Sequence, residues 1–178
     1  MEVALIIGVI ILILVVIVAV VVLIFLVMGL TGAPYVPSDE KKVKEALTKL
    51  YSLGEKDYLV DLGSGDGVIL EIATELGAAA LGVELNPFLV EHCRRKFKGN
   101  KKVKITRKNF YKVKFPEKTT VVYVYGNNMH MGGIYRKVKE EARRLEKTIY
   151  LISNGFEVPG VKIEKRRAGF KLYRVDMI

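Results

Sequence analysis

Apolar residues fall along the chain in three rhythms. Residues 3–30 are built from Val, Ile, Leu, Ala, Phe and Met without a charge, broken only by Gly8 and Gly29. An apolar run past about 20 residues is long enough to cross a bilayer as a helix, and this one has no polar face to meet water. From residue 58 onward, short apolar runs alternate with segments of helical period. Residues 58–62, 79–85, 103–107, 120–125 and 148–153 read as strands, and 68–76, 87–97 and 134–145 as helices. Gly77 ends the first of these helices, and Asn86-Pro87 opens the second with a cap and a proline at its first position.

Both ends of this alternation are marked. Ser38 is placed to cap a helix whose first turn carries Asp39 and Glu40 at the positive end of its dipole. Val43, Ala46, Leu47, Leu50 and Tyr51 then recur at helical spacing, and Gly54 ends it. After the last parallel strand the rhythm changes: 161–166, a turn at Ala168-Gly169, and 170–177 read as a hairpin. The pattern predicts an α/β fold, a doubly wound, Rossmann-like, seven-stranded, mostly parallel sheet closed by a C-terminal antiparallel hairpin and preceded by one transmembrane helix. In the helix 134–145, Ile134, Val138, Ala142 and Leu145 are expected to face the sheet, and the charged stretch 136–147 to be its solvated side.

The domain organisation expected is a transmembrane helix at 1–30, a linker at 31–37 containing Pro34 and Pro37, and a globular domain at 38–178. At 3.3 to 3.6 Å per residue such a linker reaches less than about 30 Å, which keeps the domain near the bilayer. A cleavable signal peptide is the rival reading of the first segment. It would want a basic n-region and a shorter apolar core, whereas Glu2 is the one charged side chain before this run.

Charge adds a side to the membrane. All 29 Lys and Arg, and all but one of the 19 Asp and Glu, lie beyond the span, a net +11. Lys41, Lys42 and Lys44 follow the span closely and place the domain on the cytoplasmic side. The excess suits anionic headgroups or nucleic acid, or is simply a solvated basic surface. Cys93 is the sole cysteine, so neither an intrachain disulfide nor a cysteine metal site can form, and no metal is expected. The absence of Gln and Trp beside many Lys and Glu suits a thermophilic source, and the expected location is a prokaryotic cell membrane.

Candidate chemistry begins where the first strand meets the next helix. Asp61-Leu62-Gly63-Ser64-Gly65-Asp66-Gly67 lets backbone approach a ligand without Cβ clashes. Its spacing is G-x-G-x-G, unlike the G-x-G-x-x-G that seats a dinucleotide pyrophosphate, which argues against an NAD-dependent oxidoreductase. Asp61 and Asp66 would repel a pyrophosphate and suit a cation. Glu84, ending the second strand, is placed to accept from ribose hydroxyls. Acid, ribose and cation together point to S-adenosyl-L-methionine.

The loop and Val83-Glu84-Leu85-Asn86-Pro87 resemble the class I, seven-β-strand S-adenosylmethionine-dependent methyltransferases. A fuller resemblance joins the apolar span, Pro34-Tyr35-Val36-Pro37-Ser38, the loop and Gly82-Val83-Glu84-Leu85-Asn86-Pro87-Phe88-Leu89-Val90. It is similar to the membrane-anchored lysine methyltransferases whose mitochondrial members modify the ADP/ATP carrier and the ATP synthase c-subunit. The resemblance implies a cofactor site of Asp61, Gly63, Ser64, Gly65, Asp66, Gly67, Glu84 and Asn86. It also implies Asn109 at the adenine amino group and Phe110 over the adenine ring, although an aromatic after a strand serves a core equally well.

On the acceptor side it implies Asn127, at the end of the fourth strand, and Tyr35, which is equally readable as a membrane-interface tyrosine. The chain has no Asn-Pro-Pro-Tyr sequence of the kind associated with methylation of base or glutamine amides. His130, read as a loop residue, is a candidate general base, with His92 behind it; direct transfer to an amine does not require one. The expected partners are a membrane-protein lysine acceptor and the bilayer, with nucleic acid disfavoured. Two alternatives stay open: a lipid or isoprenoid headgroup as acceptor, and a non-catalytic basic module binding nucleic acid or lipid.

Overall fold

The computed structural model describes residues 2–31, 38–126 and 128–177. The chain falls into two compact units, Met1–Tyr35 and Val36–Ile178. Helix α1 (Glu2–Thr31) belongs to the first, and its described side chains, residues 6–23, are all exposed. Among the described residues it is the one helix long and apolar enough to cross a membrane.

In the second unit, β1 (Tyr58–Leu62), β2 (Ala79–Glu84), β3 (Val103–Arg107), β4 (Val121–Tyr125), β5 (Ile149–Asn154), β6 (Lys165–Arg167) and β7 (Phe170–Val175) form one sheet in the order β3-β2-β1-β4-β5-β7-β6. The first five are parallel, and β7 runs antiparallel between β5 and β6. The central strands are buried on both faces, as their near-continuous apolar runs require. The hairpin turns through Ala168 and Gly169, both at positive φ (49° and 88°), the backbone of the two-residue turn that matches strand twist.

One face carries α2 (Glu40–Glu45), which continues into a π-helical turn (Ala46–Leu50), and α3 (Val68–Glu75), over a core including Leu47, Leu59, Leu70 and Tyr123. Helix α4 (Pro87–Lys96) lies along β2 and β3. The other face carries α5 (Asn128–Arg144), over Val60, Leu62, Val122 and Val124. The reversal between β1 and β4 puts the β1–α3 turn at the switch point of the sheet, outside the strands' carboxyl ends.

Three expectations need correction. The cap of α2 is Asp39, one residue after the expected Ser38; its extended backbone lets its carboxylate accept from the Lys42 amide at 3.2 Å. Helix α5 begins at Asn128, not 134, so His130 is an exposed residue of its first turns and not of a loop. Gly132 and Gly133 lie inside this helix, and a Cβ on Gly133 would come 2.9 Å from the Tyr111 hydroxyl.

The charged stretch of α5 is also not wholly solvated, since Lys137 and Glu141 are buried. Glu141 accepts from Lys137 Nζ (2.7 Å), Arg144 Nε (2.9 Å) and the Phe115 amide (3.0 Å), while Arg144 Nη2 donates to the Phe115 carbonyl (2.6 Å). This cluster clips the segment before β4 onto α5.

Candidate cofactor site

The loop after β1 owes its path to three glycines in the left-handed region, Gly63 (φ 93°), Gly65 (φ 54°) and Gly67 (φ 85°). At Gly67 space also decides, because a Cβ would lie 2.7 Å from the Phe97 ring and 3.1 Å from Cys93 Sγ. The amides of Gly63 and Ser64 both donate to the Val83 carbonyl (2.8 and 3.1 Å), which pulls the loop across the end of β2. From below, the Cys93 thiol donates to the Gly65 carbonyl at 3.2 Å. Asp66 Oδ1 accepts from the Val68 amide at the start of α3.

Glu84 is held more tightly than its place at a strand end implies. Its Oε2 accepts from the Gly65 amide (3.0 Å) and its Oε1 from the Leu85 and Asn86 amides (2.8 Å each). A carboxylate oxygen accepts two hydrogen bonds, so Oε1 is filled and Oε2 keeps one position for a ligand. Glu84 is therefore a clamp on the loop as well as a ribose acceptor. Asn86 caps α4 through the Phe88 amide (2.9 Å). In the same way exposed Asn109 caps the 3₁₀ turn Phe110–Lys112 through the Tyr111 amide (3.0 Å), leaving its Nδ2 to face solvent or ligand. Phe110 is half-buried, packs on the α5-side core and meets the Tyr111 ring at 4.4 Å.

Two atoms in this loop are left over. Asp61 Oδ2 and Ser64 Oγ are the buried side-chain oxygens without a hydrogen-bond partner among the described residues. Asp61 is 1 % exposed, and burial, followed by the charges of Glu84 and Asp66, pushes its carboxyl well above the ordinary range. Buried polar groups are normally satisfied, so this pair fits a ligand that brings positive charge and hydrogen-bonding groups.

The structure thus gathers Asp61, Gly63, Ser64, Gly65, Asp66, Gly67, Glu84 and Asn86 at one turn. Asn109 and Phe110 follow β3, at the same edge of the sheet. Tyr35 and Asn127 lie outside the described residues. Sequence reasoning missed Tyr123, which pairs in register with Asp61, and Asn154, whose Nδ2 donates to the Tyr123 hydroxyl at 3.2 Å. Alternation along β4 puts Tyr125 on the same face, 45 % exposed, with the Phe156 ring 6.4 Å away. Alternation was visible in the sequence, but the register that sets 123 beside 61 was not.

Comparison with known proteins agrees with this geometry. The family description of the ANTKMT methyltransferase domain matches residues 61–165. The human lysine N-methyltransferase of the ATP synthase c-subunit is 32% identical over 131 residues, covering 71% of this chain and 53% of that protein. The chain therefore spans about half the length of that relative. A protein-lysine N-methyltransferase of Saccharolobus islandicus is 28% identical over 151 residues, covering 79% of this chain and 91% of that protein. An RNA methyltransferase from Salinibacter ruber, solved with S-adenosyl-L-homocysteine, superposes with a TM-score of 0.65 at 24% identity, over 80% of this chain and 95% of that one. This likeness establishes the class I methyltransferase fold. By the match over residues 61–165, from the glycine loop to the start of the last hairpin, the chain belongs to the ANTKMT methyltransferase domain family.

Proposed function

We propose that this protein is an S-adenosyl-L-methionine-dependent protein-lysine N-methyltransferase, held at a membrane by residues 1–30 through a linker at 31–37, with its 38–178 domain on the cytoplasmic side. Its acceptor is a lysine of a membrane protein near the bilayer surface. The observation that carries the reading is the buried Asp61 carboxylate, whose Oδ2 has no hydrogen-bond partner among the described residues, in a glycine loop at the switch point of the sheet. Family membership and the lysine-methylating relatives support the reaction class, and the exposed apolar α1 supports the anchor.

When bound, the cofactor supplies an electrophilic methyl on a sulfonium. Asp61 and Ser64, with the backbone of Gly63, Gly65 and Gly67, would hold its amino-acid end, the acid towards the ammonium, and the free position on Glu84 Oε2 would take a ribose hydroxyl. Asp66 adds negative charge beside the site, Asn86 holds the start of α4, and Asn109 with Phe110 would border the base. Asn127 and Tyr35 fall to the acceptor. Tyr125 and Phe156 offer an apolar wall on the same side, which favours a neutral amine by penalising its charged form. Alignment of that amine then supplies much of the rate.

Calorimetric titration of wild type and Asp61→Asn with the cofactor tests the first half. The expected result is binding by wild type and marked weakening in the variant; a wild type that binds nothing defeats the reading. Mass spectrometry of membrane proteins with and without the enzyme tests the second half through lysine mass shifts. Methyl label recovered in the lipid extract would replace the acceptor and keep the enzyme class.

A further inference from the structure

The domain's exposed apolar side chains are not scattered. Among its described residues the large exposed hydrophobics are Leu85, Phe88, Tyr111, Tyr125, Met129 and Met177. All but Met177 follow the carboxyl ends of strands: Leu85 and Phe88 after β2, Tyr111 after β3, and Tyr125 and Met129 at and after β4. Met177 lies at the opposite edge, because β7 pairs its Val175 with Ile149 at the start of β5. Phe88 (76 % exposed) and Met129 (86 %) are the most exposed of the set. They open α4 and α5, which lie on opposite faces of the sheet, so they straddle the loop that follows β1.

Basic side chains fringe the same edge. Arg107 Nε donates to the Leu85 carbonyl (3.4 Å), Lys108 follows with its amide on the Glu84 carbonyl, and Lys112 ends the turn that carries Tyr111; all three are exposed. Of the acids that follow the strands' carboxyl ends, Asp66 and Glu84 are half-buried and turned to backbone amides of the loop and its flanks, and exposed Glu157, after β5, is paired with Arg166 at 2.6 Å. Aromatic, Leu and Met tips beside Lys and Arg are the composition that settles at the boundary of headgroups and acyl chains. A fringe of cations draws such a surface to an anionic leaflet.

We propose that the carboxyl edge of the domain rests on an anionic lipid surface, with Phe88 and Met129 entering the headgroup boundary on either side of the cofactor loop. The proposal rests on the reading of residues 1–30 as a membrane anchor, since a linker reaching less than about 30 Å keeps the domain beside the bilayer. It explains how an acceptor close to the bilayer surface would be met without the domain turning over.

The chain contains no tryptophan, so single tryptophans report cleanly on this edge. Full-length Phe88→Trp, Met129→Trp and Met177→Trp are reconstituted into vesicles of anionic or zwitterionic phospholipid, with and without brominated acyl chains. In anionic vesicles, Phe88→Trp and Met129→Trp should give blue-shifted emission quenched by the brominated lipid, and Met177→Trp should give neither. Adding Arg107→Glu and Lys108→Glu to Phe88→Trp should reverse the shift. Protein that floats with the vesicles but emits alike from all three positions overturns the proposal and leaves the anchor intact; protein that does not float with them overturns both. A shift that requires added membrane protein assigns the edge to protein docking and also overturns it.

Discussion

Two buried carboxylates lie on opposite faces of the same sheet and have opposite surroundings. Glu141 is 4 % exposed; burial pushes its carboxyl up, but the hydrogen bonds from Lys137, Arg144 and the Phe115 amide outweigh that, and it lies below the ordinary value. Asp61 is 1 % exposed, has an oxygen with no donor among the described residues, and lies well above it. A saturated acid stabilises the fold it sits in. An unsaturated one destabilises the empty fold and is satisfied by a cation from outside. Burial alone thus does not separate architecture from function, whereas the donors around each oxygen do.

The contrast is most exposed to failure at Glu141. Glu141→Ala leaves Lys137 buried without its counter-charge and should cost about 3–5 kcal/mol of stability in denaturant unfolding, with cofactor affinity of the folded protein unchanged. Replacing Lys137 and Glu141 together by Met and Leu should cost far less, because no charge is stranded. Wild-type stability in Glu141→Ala would erase the distinction.

The opposite result is expected at Asp61. Asp61→Asn should weaken cofactor binding by roughly ten- to a hundredfold, the worth of a hydrogen bond to a charged group, while unfolding at neutral pH shows equal or greater stability. An unfolded or strongly destabilised Asp61→Asn would make this acid structural too.

Proton linkage sharpens the pair. The folded pKa of Asp61 is raised, so its contribution to stability is present below the ordinary carboxylate value and lost as pH rises through the folded one. Glu141 is depressed, so its contribution is present above the ordinary value and lost as pH falls through the folded one. Cofactor binding should favour ionised Asp61, strengthen with pH through its folded pKa and release a proton near it. Calorimetry in buffers of different ionisation enthalpy measures that release, and Asp61→Asn should abolish it. The smallest effect is expected from Ser64→Ala, a loss of about 0.5–1.5 kcal/mol in cofactor affinity with no loss of stability.

Periodicity and turn chemistry, which are local, made the βα alternation, the Asn86-Pro87 helix start, the hairpin and the glycine loop legible in the sequence. What was not legible depends on contacts between distant segments. Lys137 and Glu141 are spaced four apart, the usual form of a solvated helix pair; the Phe115 segment that buries them lies 26 residues upstream of Glu141. The Tyr111 ring against Gly133 and the Glu84 clamp on the Gly65 amide likewise join segments far apart in the sequence.

The thiol beneath the loop offers a clock. Cys93 is fully buried, its thiol is pushed up to about 12, chiefly by burial, and it is hydrogen-bonded to the Gly65 carbonyl. It is also the chain's sole sulfhydryl. An alkylating reagent therefore reacts only when the loop lifts, and the rate of its uptake counts those openings directly.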